Sequence, residues 1–151
     1  MDIEEQYDKI YRFCYFRVGN RVIAEDLTQE TFLRFLTSPY QEQGKGIRYL
    51  YTIARNLCIE ESRKIKWEAL PEDVHDEGAE TSRIIDEIIV KEALRKMPED
   101  DREILIMRYM NEESLGDISR ITGLSRFALY RKLRNTRKMF VELMEGDIRD
   151  E

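Results

Sequence analysis

Three observations predict an all-α fold of two small helical bundles, joined by an acidic flexible linker and with a helix-turn-helix in the second bundle. Apolar residues recur at i, i+3, i+4 and i+7 through most of the 151-residue chain. Charged residues reach 37% against 42% hydrophobic, with three prolines, a composition that supplies both a core and well-solvated helix surfaces. Charge is unevenly placed. Residues 67–89 hold eight carboxylates and one Arg, a net −7 in a chain whose total is −6, so the remainder carries +1. A chain of this length makes one ordinary domain or two small ones.

In residues 3–18, Ile3, Tyr7, Ile10, Tyr11, Cys14, Tyr15 and Val18 form the apolar face of a first helix, which Gly19-Asn20 ends. Its aromatic stripe is assigned to the core. Residues 21–37 form a second helix with Ile23, Leu27, Thr31 and Phe35 at i+4 steps and Ala24 and Phe32 alongside. Glu25, Asp26, Gln29 and Glu30 lie on the other side of its first two turns. Acids near a helix N-terminus suit the macrodipole, which explains their sign without a partner. It explains less well why they gather in one exposed patch.

Residues 38–46, with a proline and two glycines, read as a loop. A third helix follows over 47–66, with Ile47, Leu50, Ile53, Ala54, Leu57 and Cys58 inward. Arg48, Arg55, Arg63, Lys64 and Lys66 line its other faces, with Tyr49, Tyr51 and Asn56 among them. Aromatics interleaved with cations suit stacking on unpaired bases. Packing of the tyrosines on neighbouring helices, with solvated cations, accounts for the same pattern equally well.

The linker spans residues 67–82, where acidic bias, Pro71 and Gly78 leave no sustained helical period. Thr81-Ser82 offers a cap for a helix carrying Ile85, Ile88, Ile89, Ala93, Leu94 and Met97. Pro98 suits the first turn of the next helix, which holds Ile104, Leu105, Met107, Arg108 and Tyr109. The last residues, 146–151, read as a polar, frayed tail.

The functional signal is strongest in residues 114–137, two short helices meeting at Gly123. Ser114 can cap the first, with Asp117 as the carboxylate of an imperfect capping box, and Ser125 can cap the second. Ser119 lies four residues before the glycine and Leu129 six after it, a small contact residue and an apolar plug at helix-turn-helix spacing. From Ile118 to Val141 seven cations occur with no carboxylate, the sign expected of a phosphate-facing helix. A basic surface helix in an αα-hairpin is the plainer alternative.

Other chemistry finds few candidates. Cys14, Cys58 and the lone His75 make neither a disulfide framework nor a zinc ligand set, and reduced buried thiols fit a cytoplasmic protein. No cofactor or metal is expected, and no nucleophile–base pair or glycine-rich phosphate loop suggests an enzyme. The N-terminal residues lack the charge and apolar run of a signal peptide, and no stretch suits membrane insertion.

Three blocks carry a resemblance: AEDLTQETFLRF at 24–35, RYLYTIARNLCIEESRK at 48–64, and ALRKMPEDDREILIMRYMNEESLGDISRITGLS at 93–125. In this order and spacing they resemble the bacterial extracytoplasmic-function (ECF) RNA polymerase sigma factors. The resemblance implies that residues 1–66 are sigma domain two, 67–82 the linker and 83–145 sigma domain four. It implies that Glu25, Asp26, Gln29 and Glu30 dock on the β′ clamp helices of core polymerase, with the β flap as a second contact. Tyr49, Arg55, Asn56, Arg63 and Lys64 would then surround the opened minus-ten strand, and the 38–46 loop would hold a flipped base. Ser125, Arg126, Phe127, Tyr130, Arg131 and Arg134 would face the minus-thirty-five element. The acidic linker would thread the polymerase's nucleic-acid channels, and family habit implies an anti-sigma factor as a further partner.

Some positions depart from the family pattern. Tyr49 stands where Trp is usual and Glu60 where Asp is usual. Gly116-Asp117-Ile118-Ser119 replaces a Glu-Ile-Ala core, and Phe127-Ala128-Leu129 replaces Gly-Thr-Val. Phe127 opens the recognition helix, so promoter preference is expected to differ. The leading expectation is a promoter-specificity subunit that is not an enzyme. The first alternative is a stand-alone helix-turn-helix regulator that binds duplex DNA on paired half-sites without polymerase. A sigma-like decoy is a further one.

Overall fold

The computed structural model describes residues 2–39, 46–62 and 79–149, and among them there are seven α-helices and no strand. These are α1 (Ile3–Val18), α2 (Arg21–Leu36), α3 (Gly46–Ser62), α4 (Ala79–Arg95), α5 (Glu99–Leu105), α6 (Leu115–Thr122) and α7 (Arg126–Arg149). Residues 40–45 of the expected loop and 63–78 of the third helix and linker lie outside the described residues.

Local chemistry sets the helix ends. Asp2 caps α1, and Gly19 closes it with φ 70°, its N–H donating to the Tyr15 carbonyl at 2.7 Å. Asn20 then caps α2 by accepting from the Ile23 N–H at 3.0 Å. Pro98 stands at the cap position of α5 rather than inside its first turn, with ψ 147°. Its fixed φ suits either place.

Two helix boundaries differ from expectation. α4 begins at Ala79, inside the stretch assigned to the linker, because Ala79 and Glu80 are strong helix formers and carry the helix ahead of Thr81-Ser82. α7 continues to Arg149 through the expected tail. Gly146 costs about 1 kcal/mol against alanine, too little to stop a helix already propagating.

The first bundle packs Ile10, Phe13 and Cys14 of α1 against Ala24, Leu27, Phe32 and Phe35 of α2 and Leu50, Ala54, Leu57 and Cys58 of α3. The inward face of α2 keeps most of the expected seam: Leu27, Thr31 and Phe35 are buried with Ala24 and Phe32 alongside, while Thr28 joins them and Ile23 is only half-buried. Both threonines satisfy their hydroxyls on backbone carbonyls one turn back, Thr28 on Ala24 at 2.6 Å and Thr31 on Leu27 at 2.7 Å. Tyr51 is a core residue as well, its ring edge-on to Phe13 at 5.4 Å.

The second bundle centres on Leu94, Ile104, Leu105, Ile106, Met107, Ile118, Leu129 and Leu133. Thr136 on α7 donates to Asp101 on α5 at 2.6 Å and fixes their register. Between α5 and α6 the helix widens into a π-helical segment, Ile106–Met110, where the Asn111 N–H reaches the Ile106 carbonyl at 3.0 Å. Glu112 follows with φ 54°, a left-handed conformation uncommon outside glycine and asparagine. Sequence periodicity gave no sign of this turn.

The two bundles are packed against each other, and their apolar residues join in one cluster. α1 meets α4, α5 and the π segment, and α3 meets α6. An acidic tether alone did not suggest this.

Candidate nucleic-acid interface

The helix-turn-helix is built from short-range hydrogen bonds. Ser114 Oγ accepts from the Asp117 N–H at 3.0 Å and caps α6. The Asp117 carboxylate pairs with Arg120 at 3.0 Å instead of closing a capping box. Gly123 ends α6 at φ 78°, its N–H on the Ser119 carbonyl at 2.9 Å. Ser119 Oγ donates to the Leu124 carbonyl at 2.6 Å, so the small residue at the crossing also ties the turn. Ser125 Oγ accepts from the Ala128 N–H at 3.2 Å and caps α7.

That cap sets the phase of α7. Leu129 and Leu133 point into the core, and Arg126, Phe127, Tyr130, Arg131 and Arg134 are all exposed. Phe127 is 83% exposed, far more than a core aromatic. These five predicted residues of the helix therefore lie on one outward surface, with Ser125, also exposed, at its N-terminal end as the cap. Arg137 extends the basic face, donating to Tyr109 Oη at 3.3 Å, and Lys138 is exposed beside it.

On α3 the expected set divides. Asn56 is exposed, on the same side as Arg48 and Thr52. Tyr49 is half-buried with its ring tilted over Phe35 at 6.3 Å. Arg55 turns away from Asn56 to the second bundle, where its Nε meets Glu103 at 2.8 Å and its Nη2 meets Asp100 at 3.7 Å. Arg63 and Lys64 lie outside the described residues.

On α2, Asp26 and Gln29 are exposed, Glu30 is half-buried and pairs with Arg34 at 2.8 Å, and Glu25 accepts a hydrogen bond from Tyr7. Burial, then the Glu25 hydrogen bond, pushes the Tyr7 hydroxyl up to about 12. Sequence reasoning missed three neighbours. Val22, Leu33 and Leu36 are exposed and complete a stripe with Asp26 and Gln29 at alternating steps of four and three. That is the spacing of a seam between two helices. Their place off the apolar seam of α2 was the available signal.

Also missed was the polar seam between the bundles. Arg17 is 1% exposed and pairs with Glu103 at 3.0 Å and Glu99 at 3.0 Å. Arg102 donates to the Arg17, Leu94 and Met97 carbonyls at 2.9, 2.7 and 3.1 Å, and burial pulls its guanidinium down to about 10. Burial pushes the Glu103 carboxyl up, against the pull of Arg17 and Arg55.

Comparison with known proteins gives this geometry a family. Residues 3–68 match the model for sigma-70 region 2, and residues 87–140 the model for sigma-70, region 4. The chain is 30% identical to the ECF RNA polymerase sigma factor BldN of Streptomyces coelicolor, over 89% of this chain and 58% of that one. It is 29% identical to the ECF sigma factor SigW of Bacillus subtilis, over 82% of this chain and 76% of that one. The fold matches that of the sigma factor RpoE of Bartonella quintana, solved in complex with the anti-sigma factor NepR. The TM-score is 0.73 at 20% identity, over 97% of this chain and 96% of that one. With both sigma regions present in order and an outward basic helix in the second, the chain belongs to the ECF RNA polymerase sigma factors.

Proposed function

We propose that this chain binds core RNA polymerase in the cytoplasm and directs initiation at chosen promoters, catalysing no reaction of its own. The single observation that carries the reading is the outer face of α7, where Arg126, Phe127, Tyr130, Arg131 and Arg134 are exposed over buried Leu129 and Leu133. Such a face fits the major groove of the minus-thirty-five element. An Arg bidentate to guanine there contributes about 1–3 kcal/mol of discrimination, whereas removing an Arg that touches phosphate alone reduces the salt slope by about 1.

Domain two, residues 1–66, supplies the other contacts. The stripe of Val22, Asp26, Gln29, Leu33 and Leu36, flanked by Glu25 and Glu30, suits a helical, basic partner such as the β′ clamp helices. Asn56 and Tyr49, with Arg55, Arg63 and Lys64, are assigned to the minus-ten strand. The residues between α3 and α4 join the domains, and domain four, built from α4 to α7, makes the contact to the β flap. An anti-sigma factor is a further partner of this reading.

Two variants test it in one assay of co-elution with core polymerase and promoter-dependent transcription. Asp26→Arg is expected to lose co-elution while keeping its helical circular dichroism. Arg131→Ala is expected to co-elute normally and lose promoter-dependent transcripts. Equal loss of both activities in both variants would overturn the division of labour. Duplex binding by the wild-type chain without any polymerase contact would favour the stand-alone regulator.

A further inference from the structure

The outer face of α7 carries an inference about base choice, which rests on the sigma-factor reading and deepens it. Phe127 is the second residue of α7 and is 83% exposed, more than any other large apolar side chain among the described residues. Tyr130, Arg131 and Arg134 stand three, four and seven residues further on, so the four share one face of the helix. The opposite side is held down by Leu129 and Leu133, both buried, and the Ser125 cap fixes where the helix starts. Turning α7 to cover the ring would therefore uncover two leucines. Arg126 does not shield it either. Its Nη2 lies 3.5 Å from the place a Cβ would take on Gly116, so the guanidinium rests against the start of α6 and Phe127 keeps its exposure.

A single exposed apolar side chain needs no partner to explain it. The position of this one, on the face of a helix-turn-helix otherwise made of cations and a phenol, gives it a chemistry. N-terminal residues of the second helix of such a motif meet base edges in the major groove. A phenyl ring has no hydrogen-bonding atom, so it can neither hold a phosphate nor read the polar atoms of a base edge. The one apolar group that base pairs present in that groove is the thymine C5-methyl, and phenylalanine suits it. A G·C pair under the ring would instead lose water from its polar edge and gain no hydrogen bond in return. The family pattern has glycine at this position, with no side chain to read with, so the phenylalanine adds a contact particular to this chain.

We propose that Phe127 is a specificity-determining residue, which selects a thymine in the minus-thirty-five element by packing its ring on the C5-methyl. Arg131 and Arg134, one and two turns along the same face, supply the charge that holds the helix in the groove. Covering one methyl group gives about a fourfold preference, the equivalent of ~0.8 kcal/mol. A wrong base pair at that position costs roughly fivefold or more.

Deoxyuridine lacks only the methyl group of thymidine, and it isolates this contact. Holoenzyme reconstituted from the full chain and bacterial core polymerase is measured on a promoter it selects, with each upstream thymine replaced singly by deoxyuridine. At one of them the wild type is expected to bind about fourfold more weakly, and Phe127→Ala to show a difference under about 1.5-fold. Because the ring is exposed, the variant is expected to keep its helical circular dichroism and its co-elution with core polymerase. The proposal is overturned by a wild type that senses the loss of no thymine methyl, by an equal penalty in both proteins, or by a variant that loses every fragment alike. A folded wild type that neither co-elutes with polymerase nor selects a promoter would instead overturn the sigma-factor reading.

Discussion

Replacing Glu103 with alanine tests how firmly the polar contact between the bundles holds the chain together. Glu103 is 5% exposed and answers two guanidinium groups, Arg17 at 3.0 Å and Arg55 at 2.8 Å. Removing it strands Arg17, itself 1% exposed, with only the exposed Glu99 as counter-ion. Stranding a buried charge costs about 3–5 kcal/mol. Urea unfolding followed by circular dichroism gives the difference, with the slope showing whether the native state has expanded. A loss under about 1 kcal/mol with an unchanged slope would refute the reasoning, because Arg17 would then have found water or another partner. The pH dependence follows from burial. Because Glu103 sits above the usual carboxylate range, its proton-linked contribution is greatest below the unfolded value and fades as pH rises through the raised one. Glu103→Gln removes that fade.

Three further outcomes are expected. Gly116→Ala should stabilise α6 by up to about 1 kcal/mol in thermal unfolding, since an added Cβ meets Arg126 at 3.5 Å and Ser114 at 3.8 Å, ordinary contacts. Destabilisation would mean that the glycine serves the turn instead. In an ultraviolet titration Tyr7 should ionise near 12, and Glu25→Gln should lower that without restoring the ordinary tyrosine value, because burial is the larger cause. Full restoration would reverse that order. Leu129→Ala, at a site 1% exposed under the recognition helix, should cost about 2–5 kcal/mol in denaturant unfolding and promoter-dependent transcription with it. A cost under about 1 kcal/mol would place Leu129 outside the core.

Where the sequence was legible, short-range rules governed. Gly19-Asn20, Ser114, Gly123 and Ser125 each act within four residues of themselves, and the structure puts every one at the cap or turn its chemistry suits. The phase of α7 follows from Leu129 and Leu133, so the outward set from Arg126 to Arg134 was readable as well. On α2 Thr28 was less so, because it is polar in composition yet satisfies its hydroxyl on its own backbone and joins the buried face. Arg17, Glu103, Asn111 and Glu113 were not legible at all. Each looks like a surface residue until its partner, some ninety residues or more away in the cases of Asn111 and Glu113, is brought alongside. Arg55 shows the same limit: its type suited a nucleic-acid face, but a tertiary partner decided where it points.

The central claim is promoter-selective engagement of polymerase, and reconstitution of the full chain with purified bacterial core polymerase on a pool of promoter fragments tests it most directly. The account expects co-elution and transcripts starting at a subset of fragments that share two spaced elements. A folded chain that neither co-elutes with core polymerase nor yields any selective transcript would contradict it.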